Sequence, residues 1–286
     1  MDDIIRQMKE SELSIVMKWA EEEGWNPGKN DYKAYYAYDG KGFLILERDH
    51  NPIAAIAVVR HASVLSFIGL FIVKKDYRYQ GVGKKIWQAA MSTLKENKCL
   101  GLYAVPRQVP WYQKQGFFKA YTNHRWQLTK TGSCEPPADA ISSQSKGYSQ
   151  LIEFDSTIWG TSRKKLFDEF FKELDTRAYI SFDQESNRVN GYGLIRSLKD
   201  GFRIGPMYCD TLQSAQCLVP FLLSQIPAGK KVIFDMPAKN HFSQIFALYF
   251  GLTHVESFDT EAMFNTEQLV DLGEEKCYGL ASLEIG

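Results

Sequence analysis

The sequence lacks the marks of several broad classes of protein. Lys+Arg and Asp+Glu both number 34, so no net charge is present to attract nucleic acid or an anionic membrane. The apolar runs "PIAAIAVV" and "FIGLFIV" are too short to span a bilayer. The opening residues, "MDDIIRQMKE", lack the basic region and apolar core of a secretory signal. We therefore expect a cytoplasmic protein that binds neither nucleic acid nor membrane.

Residues that commonly form disulfides or metal sites are few and scattered. The five cysteines are an odd number and contain no CxxC pair, and the five histidines are dispersed along the chain. This spacing is unlike that of a disulfide framework or a zinc site. The sequence predicts reduced thiols and no metal.

The length and composition indicate two packed domains. The chain has 286 residues, and 44% of them are hydrophobic, which is ample for two cores of ordinary size. Residues 131–147, "TGSCEPPADAISSQSKG", are rich in Ser, Pro, Gly and Ala and contain almost nothing to bury. We interpret them as a linker, which places the domains at residues 1–130 and 148–286.

Hydrophobic spacing predicts the same order of elements in both halves. In the first half, an N-terminal helix is followed by strands, a helix of about four turns and a strand–helix–strand unit. The predicted strands are 42–47, 52–61 and 66–73, and the helices are 11–23 and 81–97. In the second half, the predicted strands are 151–154, 178–183, 191–196 and 202–208, and the helices are 162–174 and 211–226. This order predicts an α/β protein made of two mixed sheets, each flanked by helices.

The segment "VKKDYRYQGVGKKIWQ" joins a predicted strand to a predicted helix through Gly81 and Gly83. A helix N-terminus offers free backbone N–H groups and positive potential, and glycines allow a phosphate to approach closely. Arg78, Lys84 and Lys85 can add positive charge there. A Walker A loop and a GxGxxG dinucleotide fingerprint are both absent, because neither spacing fits "GVGKKI". A helix with a solvated basic face remains the alternative interpretation.

The hexapeptide Arg-Tyr-Gln-Gly-Val-Gly at 78–83 resembles the [RQ]-x-x-G-x-[GA] signature of the GCN5-related N-acetyltransferases (GNAT). The apolar "LFIV" before it and "PWYQKQGF" after it also resemble segments of that family. In addition, "EEEGWNPGKND", "GYGLIR", "RIGPMYCD" and "DMPAKN" are similar to the two-domain subgroup whose C-terminal module is called the YitH-type acetyltransferase domain. The resemblance implies two tandem GNAT folds and acetyl transfer from acetyl-CoA to an amine.

The same resemblance implies where acetyl-CoA binds. The pyrophosphate is expected on the loop, and the pantetheine arm is expected to pair with the preceding strand like an added strand. The implied strand residues are Phe71, Ile72 and Val73, and the implied loop residues are Arg78, Tyr79, Gln80, Gly81, Val82, Gly83 and Lys84.

Tyr112 is the candidate catalytic residue. It lies four residues before Gly116, at the position that matches the family's tyrosine, and a phenol can donate a hydrogen bond to the leaving sulfur at neutral pH. The alternative is an aromatic side chain that only packs in the core beside Trp111.

The acceptor site and the general base are less well marked. Trp25, Asn26 and Asp31 are the predicted acceptor-pocket residues, with a helix cap as the alternative role for Asp31. Glu21, Glu22 and Glu23 end a helix and could meet a cationic amine or form an ordinary solvated surface. In the second half, Arg196 and Arg203 could bind an acceptor carboxylate, and Asp235 and Asn240 could bracket an amine, or all four could be structural. The sequence does not identify the base.

The second half lacks the features of the glycine bend. Its corresponding joint, residues 209–214, reads "CDTLQS", with no glycine pair and no basic residue, and Ala247 stands where the first copy has Tyr112. We therefore predict that the second domain binds no CoA and shapes the acceptor site.

The resulting hypothesis is an N-acetyltransferase that moves an acetyl group from acetyl-CoA to the primary amine of a small molecule. Two alternatives stay open: a protein N-terminal or lysine acetyltransferase, and a non-catalytic acetyl-CoA-binding or metabolite-sensing module. The sequence does not determine the acceptor or the oligomeric state.

Overall fold

The computed structural model describes residues 3–61, 65–94, 99–132, 146–173, 175–267 and 271–286. The strands of the first half are β1 (Asp3–Gln7), β2 (Phe43–Arg48), β3 (Asn51–His61), β4 (Leu65–Val73), β5 (Cys99–Ala104) and β6 (Phe118–Thr129). Its helices are α1 (Glu10–Glu22), α2 (Asp31–Asp39), α3 (Val82–Ser92) and α4 (Val109–Lys114). Residues 133–145 of the predicted linker and 95–97 of the predicted helix 81–97 lie outside the described residues.

The second half begins with two helices, α5 (Lys146–Trp159) and α6 (Lys164–Phe170). Its strands are β7 (Arg177–Phe182), β8 (Val189–Leu198), β9 (Gly201–Cys209), β10 (Lys231–Pro237), β11 (Thr253–His254), β12 (Thr260–Phe264) and β13 (Cys277–Gly279). Two more helices, α7 (Leu212–Ser224) and α8 (Ser243–Tyr249), follow β9 and β10. Each half thus contains three antiparallel strands, a helix, a parallel strand, a short helix and closing strands, which confirms the predicted repeat.

The predicted strand at residues 151–154 is wrong, because this segment lies in helix α5. Leu151, Asp155 and Trp159 are buried at intervals of four residues, while intervening positions are more exposed. This is the periodicity of a helix. The run "LIEF" is short and mostly apolar, and so short a run cannot distinguish a strand from a buried helical turn.

The two halves share one mixed sheet instead of forming two separate ones. Its strand order is β1-β2-β3-β4-β5-β12-β6-β10-β9-β8-β7, with β11 also paired to β6 and β13 to β9. Strand β12 of the second half lies between β5 and β6 of the first, and β6 lies beside β10. Each half therefore donates a strand to the other, which fixes their relative position through backbone hydrogen bonds.

The hydrophobic core is also continuous across the two halves. Tyr35 of α2, Phe167 of α6, Tyr192 of β8 and Ile285 near the chain end are fully buried in one cluster. A second cluster packs α3 and α4 against β2–β5, and a third packs α7 and α8 against β8–β10. In α3, Val82, Ile86 and Ala90 form the buried stripe that the sequence spacing predicts. The first and last parts of the chain consequently meet at the centre of the molecule.

Candidate active site

The glycine bend lies between the end of β4 and the start of α3. Gly81 is the N-cap of α3 and has a φ of 79°, in the left-handed region that side chains rarely adopt. A Cβ on Gly81 would meet nothing within 4 Å, so backbone conformation alone requires the glycine there. No side chain caps the helix, so its first N–H groups are available to an anion.

The charged residues of the bend have two different roles. The Arg78 Nε donates to the Val73 carbonyl at 2.9 Å, and its Nη2 donates to Glu23 at 2.5 Å. Lys85 pairs with Asp3 at 2.5 Å. Lys84 is exposed and makes no hydrogen bond or ion pair with the described residues. Arg78 and Lys85 therefore brace the bend, and Lys84 is the cation free to meet a phosphate.

Two other predicted loop residues also differ in their surroundings. The Gln80 side chain accepts a hydrogen bond from Arg48 at 3.2 Å and donates to the Asp76 carbonyl at 2.7 Å, so it supports the loop. Tyr79 is fully exposed, with a φ of 62°. The Tyr79 ring is thus free to contact a bound ligand or solvent.

Strands β4 and β5 separate just before the bend. Their parallel pairing runs from Leu65 with Cys99 to Ile68 with Leu102 and stops there. Beyond that point, β4 continues to Val73 and pairs only with β3, and Leu70 has a φ of 47° where the register shifts. We call the opening between β4 and β5 the first gap. Phe71, Ile72 and Val73 line its β4 side, as the sequence predicts.

Tyr112 lies beneath the first gap. It is buried in the cluster that contains Ile68 and Leu102, the last paired residues of β4 and β5. Its ring lies 5.1 Å from that of Trp111 and 5.8 Å from that of Trp87. Burial raises the pKa of the Tyr112 phenol well above its ordinary value. The hydroxyl makes no hydrogen bond to the described residues and stays protonated at neutral pH.

The corresponding gap of the second half is filled by the chain itself. Strands β9 and β10 pair only from Val232 with Phe202 to Ile233 with Arg203, and we call the opening beyond them the second gap. Strand β13 pairs with β9 there, and the Leu280 N–H donates to the Asp235 carbonyl at 2.8 Å. A protein strand therefore lies where the first half leaves an open strand edge.

The helix that follows the second gap is also closed to an anion. Thr211 caps α7 by accepting a hydrogen bond from the Ser214 N–H at 3.1 Å. Asp210 places a carboxylate beside that helix end and pairs with Lys276 at 2.8 Å. Ala247 is buried, and Tyr249 is exposed on α8, away from the position equivalent to Tyr112. These contacts leave the start of α7 without the free N–H groups and the bare glycine that the start of α3 offers.

The predicted acceptor residues Trp25 and Asn26 lie against strands of both halves. Arg125 of β6 donates to the Asn26 side chain at 3.1 Å and to the Trp25 carbonyl at 3.4 Å. Arg203 of β9 donates to the Asn26 carbonyl at 3.2 Å. Both guanidinium groups also bind the buried Asp235 carboxylate. Asp235 is thus paired with arginines, so it does not bracket an amine in this structure.

Asp31 belongs to the same buried group of charges. Its carboxylate accepts hydrogen bonds from Arg196, from the Tyr35 hydroxyl at 3.0 Å and from the Gly28 N–H at 3.2 Å. Asn30, not Asp31, is the N-cap of α2. We call Asp31, Arg125, Arg196, Arg203 and Asp235 the charged cluster. All five residues are at least nine-tenths buried, and the cluster joins α2 to strands from both halves.

Other predicted candidates have structural contacts. Asn240 donates to the Cys277 carbonyl at 2.9 Å and accepts from the Phe242 N–H at 3.0 Å, so it holds β13 and the start of α8. Glu23 pairs with Arg78 and with Arg107, and Glu21 pairs with Lys199 at 3.5 Å. Glu21 and Glu23 therefore act as partners of basic side chains.

The residue that sequence reasoning missed is Glu284. Residues 280–286, which we call the C-terminal segment, are mostly buried and cross from the second gap to β4 of the first half. Glu284 is 1% exposed and is the one acid in the apolar run "LASLEIG". An acid flanked by Leu283 and Ile285 is a weak signal, because it does not reveal which strand the segment crosses.

A cavity opens at the start of α2, between α6 and β8. Asp31 and Arg196 of the charged cluster form part of its wall, and Glu169, Glu173 and Asp175 add further acids. Lys29 is the other basic residue that lines it. Asp31, Glu169 and Glu173 are each paired with a basic side chain, so the lining carries little free negative charge.

One group of side chains in the described part of the chain could hold a metal ion. The ligand atoms of His124, His254 and Asp259 all lie within 4.8 Å of one another. Asp259 binds the His124 ring at 2.8 Å and the His254 ring at 2.9 Å, so the three side chains already satisfy one another. Because His124 is far from His254 and Asp259 in sequence, no local spacing could have revealed the whole group.

Comparison with known proteins identifies both halves. Residues 39–119 and 151–279 each match a family model described as "Acetyltransferase (GNAT) domain", and the two matches together span more than half of the chain. The chain is 26% identical over 279 residues to a holothin acyltransferase of Pseudoalteromonas sp. (strain SANK 73390), with 96% of this chain and 92% of that protein covered. It is 24% identical over 249 residues to the uncharacterized N-acetyltransferase YitH of Bacillus subtilis (strain 168), with 84% of each covered.

A solved structure has the same fold over nearly the whole chain. A putative acetyltransferase from Pyrococcus horikoshii superposes with a TM-score of 0.78 at 16% identity, covering 99% of this chain and 96% of that one. In the part of the chain that the structure describes, no helix is long and apolar enough to cross a membrane.

Proposed function

Because the chain belongs to the GNAT acetyltransferase family, as a tandem of two such domains, we propose that it transfers an acetyl group from acetyl-CoA to the primary amine of a small molecule. The observation that carries this proposal is the first gap, which leaves the edge of Phe71–Val73 unpaired next to the uncapped N-terminus of α3. The second half has the same framework with the gap filled. A single acetyl-CoA site per chain follows.

The residues of the first gap fit the parts of acetyl-CoA. The free N–H groups at the start of α3 and the exposed Lys84 suit a pyrophosphate, because both are positive and the bend places no side chain over Gly81. The β4 edge suits the amide groups of a pantetheine arm, which can add to a sheet like a strand. The buried rings of Trp87 and Tyr112 and the half-buried ring of Trp111 give an apolar floor beneath the gap.

Acetyl-CoA supplies a thioester, whose carbonyl carbon is open to attack by a neutral amine. In this proposal Tyr112 donates a hydrogen bond to the sulfur, because its phenol is protonated and has no partner among the described residues. The acceptor approaches from the side of α1, α2 and the charged cluster. Asn26 and Asp31 position that side of the site through their bonds to Arg125 and Arg196.

A small acceptor is favoured over a protein. The acceptor side is built from the 24–31 loop, α2 and strands of both halves, and its five charged residues are almost fully buried. A protein acceptor needs an open groove, whereas a small molecule can be enclosed at a boundary between domains. The relative named holothin acyltransferase supports acyl transfer as the reaction.

The proposal is tested by thiol release from acetyl-CoA with a panel of primary amines, such as tyramine, putrescine and glucosamine. We expect calorimetry to show one acetyl-CoA bound per chain, and we expect at least one amine to accelerate thiol release. Tight binding without turnover on any amine would support the sensing module instead. Absence of binding would refute the proposal.

A further inference from the structure

The C-terminal segment is held against the first half at several points. The Ile285 carbonyl lies 2.6 Å from the His61 Nε2 of β3. Within the segment, the Ser282 hydroxyl accepts hydrogen bonds from the N–H groups of Glu284 and Ile285 at 3.2 and 3.0 Å. A Cβ built on Gly69 would lie 1.8 Å from the Glu284 carbonyl oxygen. Gly69 is the residue after Ile68, where β4 and β5 separate. The second half therefore brings the Glu284 backbone to the mouth of the first gap.

The Glu284 carboxyl group has few hydrogen-bond partners. Its Oε1 is buried without a hydrogen-bond partner in the described structure. Its Oε2 accepts only a weak bond from the Tyr35 hydroxyl at 3.4 Å, and Tyr35 lies closer to Asp31, at 3.0 Å. A buried carboxyl oxygen that accepts no hydrogen bond is unfavourable, and a donor that binds to it relieves that cost.

The nearby arginine side chains are already paired with other carboxylates. Arg196 binds Asp31, and Arg125 and Arg203 bind Asp235. These three arginines and Asp31 are the charged groups that act on Glu284, together with the Tyr35 hydroxyl. Burial, which outweighs the arginines, raises the pKa of Glu284 above its ordinary value. A carboxyl group with a raised pKa accepts a proton at a pH where ordinary glutamates do not.

We propose that Glu284 receives the proton of the acceptor amine at the first gap, an inference that rests on the proposed acetyl transfer. The amine nitrogen bonds to the thioester carbonyl carbon, the carbon–sulfur bond breaks, and the amine proton moves to Glu284. The sulfur takes a proton from Tyr112 and leaves as the thiol, and both residues then exchange protons with solvent. Tyr35 connects Glu284 to Asp31 in the wall of the cavity at the start of α2, which gives that proton a route outwards.

This role explains two features together. The first-half strand "LSFIGLFIV" contains no ionisable side chain that could act as a base. The second half, although it offers no open CoA site, contributes a buried carboxyl group on a segment whose backbone packs against this strand. The tandem arrangement would then complete one active site from two copies.

The test compares Glu284→Gln with Glu274→Gln, a matched control. Glu274 is also a buried glutamate of the second half, but it is bonded by Tyr121, Lys239 and the Leu272 N–H. With the amine of highest rate from the panel, we expect Glu284→Gln to lower kcat/KM at least about 100-fold and to remove the acidic limb of the pH profile. Acetyl-CoA affinity should stay within about twofold, and Glu274→Gln should keep the wild-type profile.

A second measurement separates proton transfer from structural support. Amine binding to the CoA complex, measured by calorimetry in buffers of different ionisation enthalpy, should exchange protons in the wild type and not in Glu284→Gln. Should that variant unfold, Glu284→Asp, which keeps the carboxyl group, should fold and retain the acidic limb at a lower rate. A folded Glu284→Gln protein with the wild-type pH profile would overturn this inference alone. A wild-type protein without amine-dependent thiol release would overturn the proposed function as well.

Discussion

Gly69 and Glu284 are separated by most of the chain, yet the carbonyl oxygen of Glu284 occupies the space that a side chain on Gly69 would need. This contact joins the mouth of the first gap to the C-terminal segment. It also makes Gly69 a direct probe of that segment.

Gly69→Ala should displace the C-terminal segment. The added Cβ would lie 1.8 Å from backbone, which cannot move as easily as a side chain, so we expect a loss of about 1–3 kcal/mol in unfolding free energy. Thermal unfolding measures it, with Gly83→Ala as the control, because a Cβ on Gly83 makes only ordinary contact at 3.5 Å. Equal stability of the two variants would contradict the close packing of Glu284 on β4.

Gly81→Asp should abolish thermal stabilisation by acetyl-CoA. The substitution places a carboxylate at the N-terminus of α3, where the proposed pyrophosphate binds. Gly229→Asp is a matched control, because Gly229 has a φ of 82° against 79° for Gly81 and its Cβ would also meet nothing within 4 Å. The two variants carry similar backbone strain. A Gly81→Asp protein that acetyl-CoA still stabilises would remove the bend from the proposed site.

Tyr112→Phe should lower kcat by about 10²- to 10⁴-fold if the hydroxyl assists departure of the sulfur. Acetyl-CoA affinity should change little, because the phenyl ring keeps its contacts with Trp87 and Trp111. Steady-state kinetics and calorimetry on the same preparation measure the two quantities. Unchanged kcat would mean that Tyr112 is only a packing residue.

Asp235→Asn should destabilise the protein by about 3–5 kcal/mol, because it leaves the buried Arg125 and Arg203 without their carboxylate. Asp210→Asn removes an exposed ion pair with Lys276 and should cost less than about 1 kcal/mol. Chemical unfolding of both variants measures the difference. Comparable small losses would show that the charged cluster is not what joins the halves.

Acid should destabilise the protein through the buried His61. Burial lowers the pKa of His61 to about 4, while the unfolded chain keeps a value near 6.5, so the unfolded state binds the proton first. The resulting stability is complete above about pH 7 and is lost as pH falls through 6.5 towards 4. The loss reaches about 3 kcal/mol, since each pKa unit corresponds to about 1.4 kcal/mol. Unfolding measured from pH 7.5 to 4.5 should show a smaller slope in His61→Gln.

Local patterns in the sequence were sufficient to predict much of the first gap and its glycine bend. The strand to Val73, the left-handed Gly81 and the helix after it depend on neighbours in the chain, and the structure contains each of them. The repeat could also be predicted, because strand and helix periodicities recur in order. The prediction of a strand at 151–154 was wrong because three apolar residues in a run of four fit either periodicity.

By itself, the sequence determined the class of fold, the repeat of two GNAT-like copies and the single glycine bend that could receive acetyl-CoA. Only the tertiary structure decided that β6 and β12 exchange places, that β13 fills the second gap and that Glu284 reaches the first. Three features depend on residues far apart in the chain. They are the strand order, the pairing of Asp31 and Asp235 with arginines, and the contact of Glu284 with Gly69. Shape and burial across the whole molecule determine these contacts, so local spacing in the sequence cannot predict them.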